Sequence, residues 1–244
     1  MLKKLSVSAV ALVSLASLSL ASVNFDNPKA GNLIEEINNT ELAAPLPAAA
    51  SADKGLLSWL LGKRTKEWTI MVYINGKNNL ERFALKDVNE MEMIGSSGKV
   101  NIVVEIGRMA GFDSSDGDWK GTRRYLVTKD TDTNTFGSAV VEDLGKSDMG
   151  DYKSVAAFGN WAKAKYPAKK TMLILWNHGA GWLKSAKSVG GSKGISYDDE
   201  TNNHITTPQM AALLKDMGGV SLYGSDACLM QMAEVVYEIK DYVP

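Results

Sequence analysis

The chain has the size of one ordinary globular domain with extensions, since 45% of its 244 residues are hydrophobic and 23% are charged. A formal net charge of -1 and the lack of a long basic run exclude the positively charged stripe by which proteins bind nucleic acids. We therefore expect no nucleic-acid partner.

Residues 1–21 have the pattern of a secretory signal peptide. Lys3 and Lys4 precede an apolar run with several serines at 5–20, and small residues follow at 21–22. A membrane span is the alternative, but a span needs about 20 apolar residues and this run has about 16. The pattern predicts export to the medium, the periplasm or the cell surface, with no stable membrane span after the signal is removed.

Residues 22–66 are predicted to form a linker or pro-segment. They contain a stretch rich in alanine and proline at 43–50 and little periodic apolar content. We expect the folded domain to cover residues 67–244.

The folded part opens with a predicted strand, helix and strand. Residues 68–74 are β-branched and aromatic and end at the turn signal Asn75-Gly76. Apolar residues then recur at every third or fourth position between Leu80 and Ile94, which predicts a helix with one buried face. A second apolar run at 100–107 predicts the next strand. This order is typical of a right-handed crossover between parallel strands.

Residues 108–143 give weaker signals. A polar loop at 113–118 holds several aspartates, whose oxygens are ligands that Ca²⁺ prefers, although their spacing does not match an EF-hand. We favour a solvated turn and keep a Ca²⁺ ion as the alternative. The runs 123–127 and 138–141 predict a short hairpin.

The remaining elements alternate between helix and strand. The pattern predicts helices at 151–166, 207–217 and 229–240 and strands at 171–177 and 220–226. With the first crossover, they predict an α/β fold with a mostly parallel sheet and helices on both faces. Two of the strands end at residues that can do chemistry, His178 and Cys228. Because ligands bind beyond the carboxyl ends of such strands, we expect these two side chains to meet there.

Cys228 is the only cysteine, so an exported chain cannot use it for an internal disulfide. Three roles remain open from the residue alone: a bond to another molecule, a buried inert thiol, or a reactive thiol. His178 alone could likewise be a satisfied polar group at the end of a strand. His204, in a polar loop, is assigned no function.

Three segments carry a resemblance to a known family. They are residues 68–73 followed by Asn78-Asn79-Leu80, the segment Trp176-Asn177-His178-Gly179, and the segment Asp226-Ala227-Cys228-Leu229-Met230. Over roughly residues 67–240, the chain resembles the clostripain family of cysteine peptidases, whose fold is caspase-like. The resemblance implies a cysteine endopeptidase that acts on proteins or peptides through a His178–Cys228 dyad, with no metal or cofactor required for the chemistry.

The chemistry of these residues agrees with that implication. A thiol attacks as its thiolate, and we expect Cys228 at the first turn of the helix 229–240, where backbone N–H groups favour an anion. His178 would take the thiol proton and later give it to the leaving amine. The N–H groups of Gly179 and Cys228 are candidates for an oxyanion hole, which is worth about 3 kcal/mol per donor.

Two further expectations concern specificity and processing. The resemblance implies that Asp226 lies at the bottom of a substrate pocket that binds a basic side chain, and therefore that the enzyme cleaves after Arg or Lys. The alternative role for Asp226 is that of a helix N-cap. The resemblance also implies self-processing between the histidine and the cysteine. The candidate sites are in a glycine- and serine-rich loop of the kind that proteases cut, at Lys184, Lys187 and Lys193. A loop without a role is the alternative.

The chain departs from the family in length. Family catalytic domains continue beyond the helix that follows the cysteine, whereas this chain stops at Pro244. We therefore expect an incomplete domain, whose C-terminal part is missing or is supplied by a second chain. A catalytically silent, exported binding protein on the same fold is the alternative function. A nucleotide-binding domain is disfavoured, because residues 75–79 are not a glycine-rich phosphate loop.

Overall fold

The protein is described by a computed structural model that covers residues 65–182 and 193–244. The predicted signal peptide 1–21, nearly all of the predicted linker 22–66, and the candidate processing residues Lys184 and Lys187 lie outside the described residues. Within the described part, no helix is long and apolar enough to cross a bilayer.

The main element is a six-stranded sheet. Its strands are β1 Lys66–Gly76, β2 Val100–Arg108, β3 Gly121–Leu126, β4 Val140–Gly145, β5 Ala168–Trp176 and β8 Leu222–Asp226. They lie in the order β4-β3-β2-β1-β5-β8; β1, β2, β5 and β8 pair in parallel, and β3 and β4 are added antiparallel at one side. The predicted mostly parallel sheet is therefore confirmed.

Helices cover both faces of the sheet. They are α1 Glu81–Glu92, α2 Tyr152–Lys165, α3 Thr207–Asp216 and α4 Ala233–Ile239. The alternation of side chains along β1 divides the core: Val72 and Ile74 pack towards α1, while Met71 and Tyr73 pack towards the other three helices. The predicted α/β fold with helices on both faces is confirmed.

A two-stranded antiparallel hairpin, β6 Gly194–Asp198 and β7 Asn203–Thr206, was not predicted from the sequence. Ile195 and Ile205 anchor it in the core cluster that contains α2, α3 and α4. The hairpin begins at Gly194, one residue beyond Lys193, where the described chain resumes, and it continues into α3. It lies beside the carboxyl end of β5, because the Ala180 N–H donates to the Gly194 carbonyl over 2.9 Å.

Two predicted details of the helices are wrong. Phe83 in α1 and Ile94, which lies beyond the end of α1, were expected inside but are 42% and 76% exposed. The start of α3 agrees with the prediction, and its N-cap is Thr206, in a capping box with Gln209. The last helix starts at Ala233 rather than at residue 229, because residues 227–231 form turns.

Candidate active site

His178 and Cys228 follow two neighbouring parallel strands in the same register. Trp176, the last residue of β5, pairs with Asp226, the last residue of β8. The two segments stay together beyond the sheet, since the Asn177 N–H donates to the Asp226 carbonyl over 3.2 Å. Each reactive residue is therefore the second residue after a paired strand end, at one edge of the sheet.

Gly179 fits directly against the backbone of Cys228. A Cβ atom built on Gly179 would lie 2.3 Å from the Cys228 carbonyl oxygen, 2.8 Å from Cγ of Met230 and 3.1 Å from Cβ of Ala227. No side chain fits in this space without a backbone shift. The glycine after the histidine therefore allows the two catalytic candidates to approach each other.

The backbone N–H groups of Gly179 and Cys228 are unused within the described chain. Neither donates a hydrogen bond to another residue of 65–182 or 193–244. Gly179 faces Ile195 in an isolated antiparallel bridge. The N–H group that donates in this bridge is that of the next residue, Ala180, and its acceptor is the Gly194 carbonyl. Both N–H groups therefore have no acceptor within the described residues.

The surroundings of Cys228 differ from the expectation. Cys228 is exposed, so the alternative of a buried thiol is wrong. Cys228 lies in a turn, and α4 begins five residues later at Ala233, so this helix cannot stabilise the thiolate through its first turn. The strand register instead puts the imidazole-bearing residue His178 at the matching position, two residues beyond the paired end of β5.

Sequence reasoning missed the partner of His178. Nε2 of His178 lies 2.8 Å from Oδ1 of Asn79, which is 99 positions away in the chain. Asn79 follows β1, the other neighbour of β5 in the sheet. The segment Asn78-Asn79-Leu80 was noticed only as a part of the family resemblance. The signal that could have identified Asn79 is its position after the carboxyl end of a parallel strand, the same signal that identified His178.

Asp226 is exposed at the end of β8 and does not cap a helix, so the alternative role as N-cap is wrong. Its pairing with Trp176 puts its side chain on the α1 face of the sheet. There the Trp176 indole N–H donates to the carboxylate of Asp87 over 2.7 Å. Burial raises the pKa of Asp87, and the charges of Glu90 and Asp226 raise it further. Two carboxylates thus flank Trp176 and give this side of the site a negative potential.

His204 lies apart from these residues, in β7. Its ring stacks on Tyr197 with the centroids 4.8 Å apart and the planes at 8°. Burial lowers the pKa of His204, which favours the neutral ring. The assignment of no function to His204 stays a prediction.

The acidic loop 113–118 uses its carboxylates within the protein. Asp116 accepts hydrogen bonds from the Trp119 indole and from the Phe136 N–H, at 3.1 Å each. Asp118 pairs with Lys120 at 2.5 Å. In the described part of the chain, no three His, Cys, Asp or Glu side chains converge as metal ligands. The geometry gives Ca²⁺ no support at this loop.

Lys193, the one candidate processing residue within the described part, is held in place. Its ammonium lies 4.5 Å from the centroid of the Trp182 ring. The next residue, Gly194, is paired with Thr206 in the hairpin. Cleavage after Lys193 would therefore require the first pair of the β6–β7 ladder to open.

Comparisons with known proteins agree on one family. A profile described as the Clostripain family matches residues 72–244. Clostripain from Hathewaya histolytica is 27% identical over 201 residues, which cover 72% of this chain and 36% of that protein. The chain is also similar to a secreted C11 cysteine protease from Bacteroides thetaiotaomicron, whose structure was solved with an irreversible peptide inhibitor. The TM-score is 0.55 and the identity is 25%, over 73% of this chain and 47% of that chain. An inactive zymogen C11 protease from Parabacteroides distasonis shares the fold, with a TM-score of 0.53 and 21% identity, over 74% of this chain and 47% of that one. The chain thus spans less than half the length of these relatives.

Proposed function

The chain belongs to the clostripain family, and on this basis we propose that it is an exported cysteine endopeptidase that cleaves after Arg or Lys through His178 and Cys228. The family match covers the described residues almost completely, and the likeness to C11 proteases agrees with the caspase-like fold. The observation that carries the proposal is the parallel continuation of β5 and β8, with Gly179 seated against the Cys228 carbonyl.

In the proposed reaction, the thiol proton of Cys228 passes to the His178 imidazole, and the thiolate attacks the carbonyl carbon of the scissile bond. The C–N bond breaks as the leaving amine takes the proton from the imidazolium. Water then hydrolyses the thioester, which releases the new carboxyl group and restores the thiol. All of the proton transfers are between the two side chains, substrate and water, so no metal is needed for this chemistry.

The N–H groups of Gly179 and Cys228 are the proposed donors to the oxyanion. This proposal is supported by their lack of partners within the described residues and by the close fit of the two segments. Two donors aimed at the developing charge would contribute about 3 kcal/mol each to stabilising the transition state.

The reactivity of the thiol tests the proposal directly. We expect iodoacetamide to alkylate Cys228 at pH near 6 much faster than it alkylates a free cysteine, since only an activated thiolate reacts quickly there. The substitution His178→Ala should abolish this advantage. A catalytically silent binding protein on the same fold would instead have a slow thiol in both forms, and that result would exclude the peptidase.

Specificity for a basic residue is proposed from Asp226 and from the negative potential beside Trp176. Fluorogenic peptides ending in Arg or Lys should be cleaved in preference to those ending in Ala or Phe, with Cys228→Ala as the inactive control. The substitution Asp226→Asn should remove most of the preference. Equal rates for Arg and Ala substrates with the unaltered chain would contradict the assignment.

Self-processing is proposed at Lys184, Lys187 or Lys193. Because Lys193 is tied to Trp182 and to the hairpin ladder, we expect the other two lysines to be cut first. The intact mass of the purified chain and of Cys228→Ala, followed over time, measures this. Identical and unchanging masses would exclude self-processing.

Export is proposed from the signal-like pattern at 1–21. The relative from Bacteroides thetaiotaomicron is itself described as secreted, which is consistent with this location. Since the chain spans 36% of clostripain, we also propose that further polypeptide, in the same chain or in a second one, completes the domain, and the turnover assays are made with it present. Ca²⁺ can be tested in the same assay by adding a chelator.

A further inference from the structure

We propose that Asn79 is a positioning residue for the dyad: it holds the His178 ring by Nε2, so that Nδ1 is the nitrogen that exchanges a proton with the Cys228 thiol. The inference rests on the proposed peptidase function and adds a third side chain to it. It starts from the 2.8 Å contact between Oδ1 of Asn79 and Nε2 of His178.

With the amide oxygen of Asn79 facing Nε2, this contact favours one tautomer of the imidazole. A side-chain amide oxygen only accepts hydrogen bonds, so the ring nitrogen that faces it must carry the hydrogen. In the neutral ring, Nδ1 is then the unprotonated nitrogen, which is the form that a general base requires. When Nδ1 takes the thiol proton, the same Nε2–H becomes a donor on an imidazolium, and its bond to Asn79 strengthens because it is charge-assisted. Asn79 therefore favours the ion pair over the neutral pair.

The turn that carries Asn79 is held in place by contacts of the two residues before it, Lys77 and Asn78. The Asn78 side chain accepts from the Leu80 N–H over 2.9 Å and donates to the Tyr197 carbonyl over 2.8 Å. Lys77 is fully buried and pairs with Glu200 at 2.8 Å. The contact of Asn78 with Tyr197 ties the turn to β6, and the contact of Lys77 with Glu200 ties it to the loop between β6 and β7.

The same network holds the residue before the histidine. The Asn177 side chain donates to the Asn75 carbonyl over 2.6 Å and accepts from the Tyr197 N–H over 2.8 Å. The backbones on both sides of the contact between Asn79 and His178 are thus fixed to one hairpin. A hydrogen bond between two preorganised groups loses little entropy when it forms, so it can set the direction of the ring.

In the reaction, the hydrogen on Nε2 stays in place. The thiol proton moves to Nδ1, the thiolate attacks the carbonyl carbon, and the proton on Nδ1 leaves with the amine as the C–N bond breaks. Without Asn79, the ring can rotate or adopt the other tautomer, in which Nδ1 carries a hydrogen and cannot act as the base.

The test compares Asn79→Ala, Asn79→Asp and the control Asn160→Ala. Asn160 is an exposed asparagine on α2 whose amide donates to the Asp216 carbonyl over 3.1 Å, so its truncation removes a similar hydrogen bond far from the site. We expect Asn79→Ala to lower kcat and the alkylation rate of Cys228 by roughly 10- to 100-fold, with KM nearly unchanged. The control should keep the rates of the unaltered chain.

The isosteric Asn79→Asp separates positioning from a merely structural role. A carboxylate facing Nε2 stabilises the imidazolium more than an amide does, so the alkaline limb of the pH profile of kcat/KM should move to higher pH. The pH profile of iodoacetamide alkylation should shift in the same sense, and this readout does not require peptide turnover. Thermal unfolding of each variant checks that the fold is intact.

The outcomes distinguish this inference from the proposed function. A fast thiol in the unaltered chain, together with Asn79 variants that match Asn160→Ala in rate and pH profile, overturns the role of Asn79 alone. A thiol in the unaltered chain that reacts no faster than free cysteine overturns both. A lowered kcat in Asn79→Ala and a shifted limb in Asn79→Asp support the inference.

Discussion

The fit of Gly179 against Cys228 makes Gly179→Ala an informative substitution. The added Cβ would lie 2.3 Å from the Cys228 carbonyl oxygen, whereas carbon and oxygen atoms normally stay about 3.4 Å apart. One of the two backbones must therefore move by about 1 Å. Overpacking of this kind costs about 1–3 kcal/mol.

The displacement should affect chemistry more than stability. A movement of about 1 Å between reacting groups can lower a rate by about 100-fold, because the near-attack geometry is lost. We therefore expect the alkylation of Cys228 by iodoacetamide at pH 6 to slow by at least about 10-fold, while urea unfolding shows a loss of about 1–3 kcal/mol.

Gly98→Ala is the matched control. A Cβ on Gly98 meets no atom within 4 Å, and its backbone is not in the left-handed region. This substitution should leave the thiol unchanged and alter stability by less than about 1 kcal/mol. If Gly179→Ala unfolds at the same urea concentration as Gly98→Ala and reacts at the same rate, the close approach of the two segments is not what organises the site.

Three further perturbations test the charges of the fold and the site. Lys77→Met removes one partner of a buried ion pair and should lower the free energy of unfolding in urea by about 3–5 kcal/mol, whereas Lys86→Met, which breaks an exposed pair, should cost less than about 1 kcal/mol. Burial raises the pKa of Glu105 from 4.5 to about 7, although its partner Arg124, at 2.6 Å, acts to lower it; the fold therefore loses stability at this residue as pH rises from about 4.5 to about 7. Glu105→Gln should therefore become more stable relative to the unaltered chain, by up to about 3 kcal/mol, between pH 4.5 and pH 8; equal pH dependence of the two forms in urea unfolding would contradict this. Asp87→Asn keeps the acceptor for the indole but removes the charge, and should raise KM for Arg substrates by roughly 2- to 5-fold; Glu67→Gln, which removes an exposed carboxylate at the start of β1 and so at the opposite edge of the sheet, is the control that should not.

The elements that could be predicted from the sequence are those whose burial follows hydrophobic periodicity. Strands β1 and β5 have nearly continuous apolar runs because both faces of a parallel sheet are covered, and their ends identified His178. The same argument identified Cys228 at the end of β8. The fold class, and the placing of both candidate residues at one edge of the sheet, required nothing more.

Periodicity failed where polar side chains are buried. In α1, Glu81 is buried because Arg108 binds it at 2.7 Å, and Glu92 is buried because it accepts from the Gly137 and Ser138 N–H groups. Because these partners bury Glu81 and Glu92, the side of α1 that faces the sheet includes the two glutamates and leaves Phe83 exposed. A pattern of apolar residues contains no information about an ion pair with a residue on another strand.

The β6–β7 hairpin was missed for the same reason. Its first strand includes Ser196 and Asp198, which look like loop residues but are buried. Ser196 donates to the Met149 carbonyl over 2.7 Å, and Asp198 accepts from the Met149 N–H over 2.9 Å. Both side chains can be buried because they bind the backbone of Met149, which is 47 and 49 positions away in the chain. A local sequence pattern contains no information about a partner so distant.

This hairpin explains how the site could survive the proposed self-processing. A cut within residues 183–192 would make the hairpin the start of a separate polypeptide. Ile195 and Ile205 would still be buried in the core, and Lys77 would still bind the loop between the two strands. Because the contacts to Asn75, Asn78 and Asn177 are also made by the hairpin, the segments that carry Asn79 and His178 would keep their support. Processing within residues 183–192 would therefore leave the contacts that support Asn79 and His178 in place.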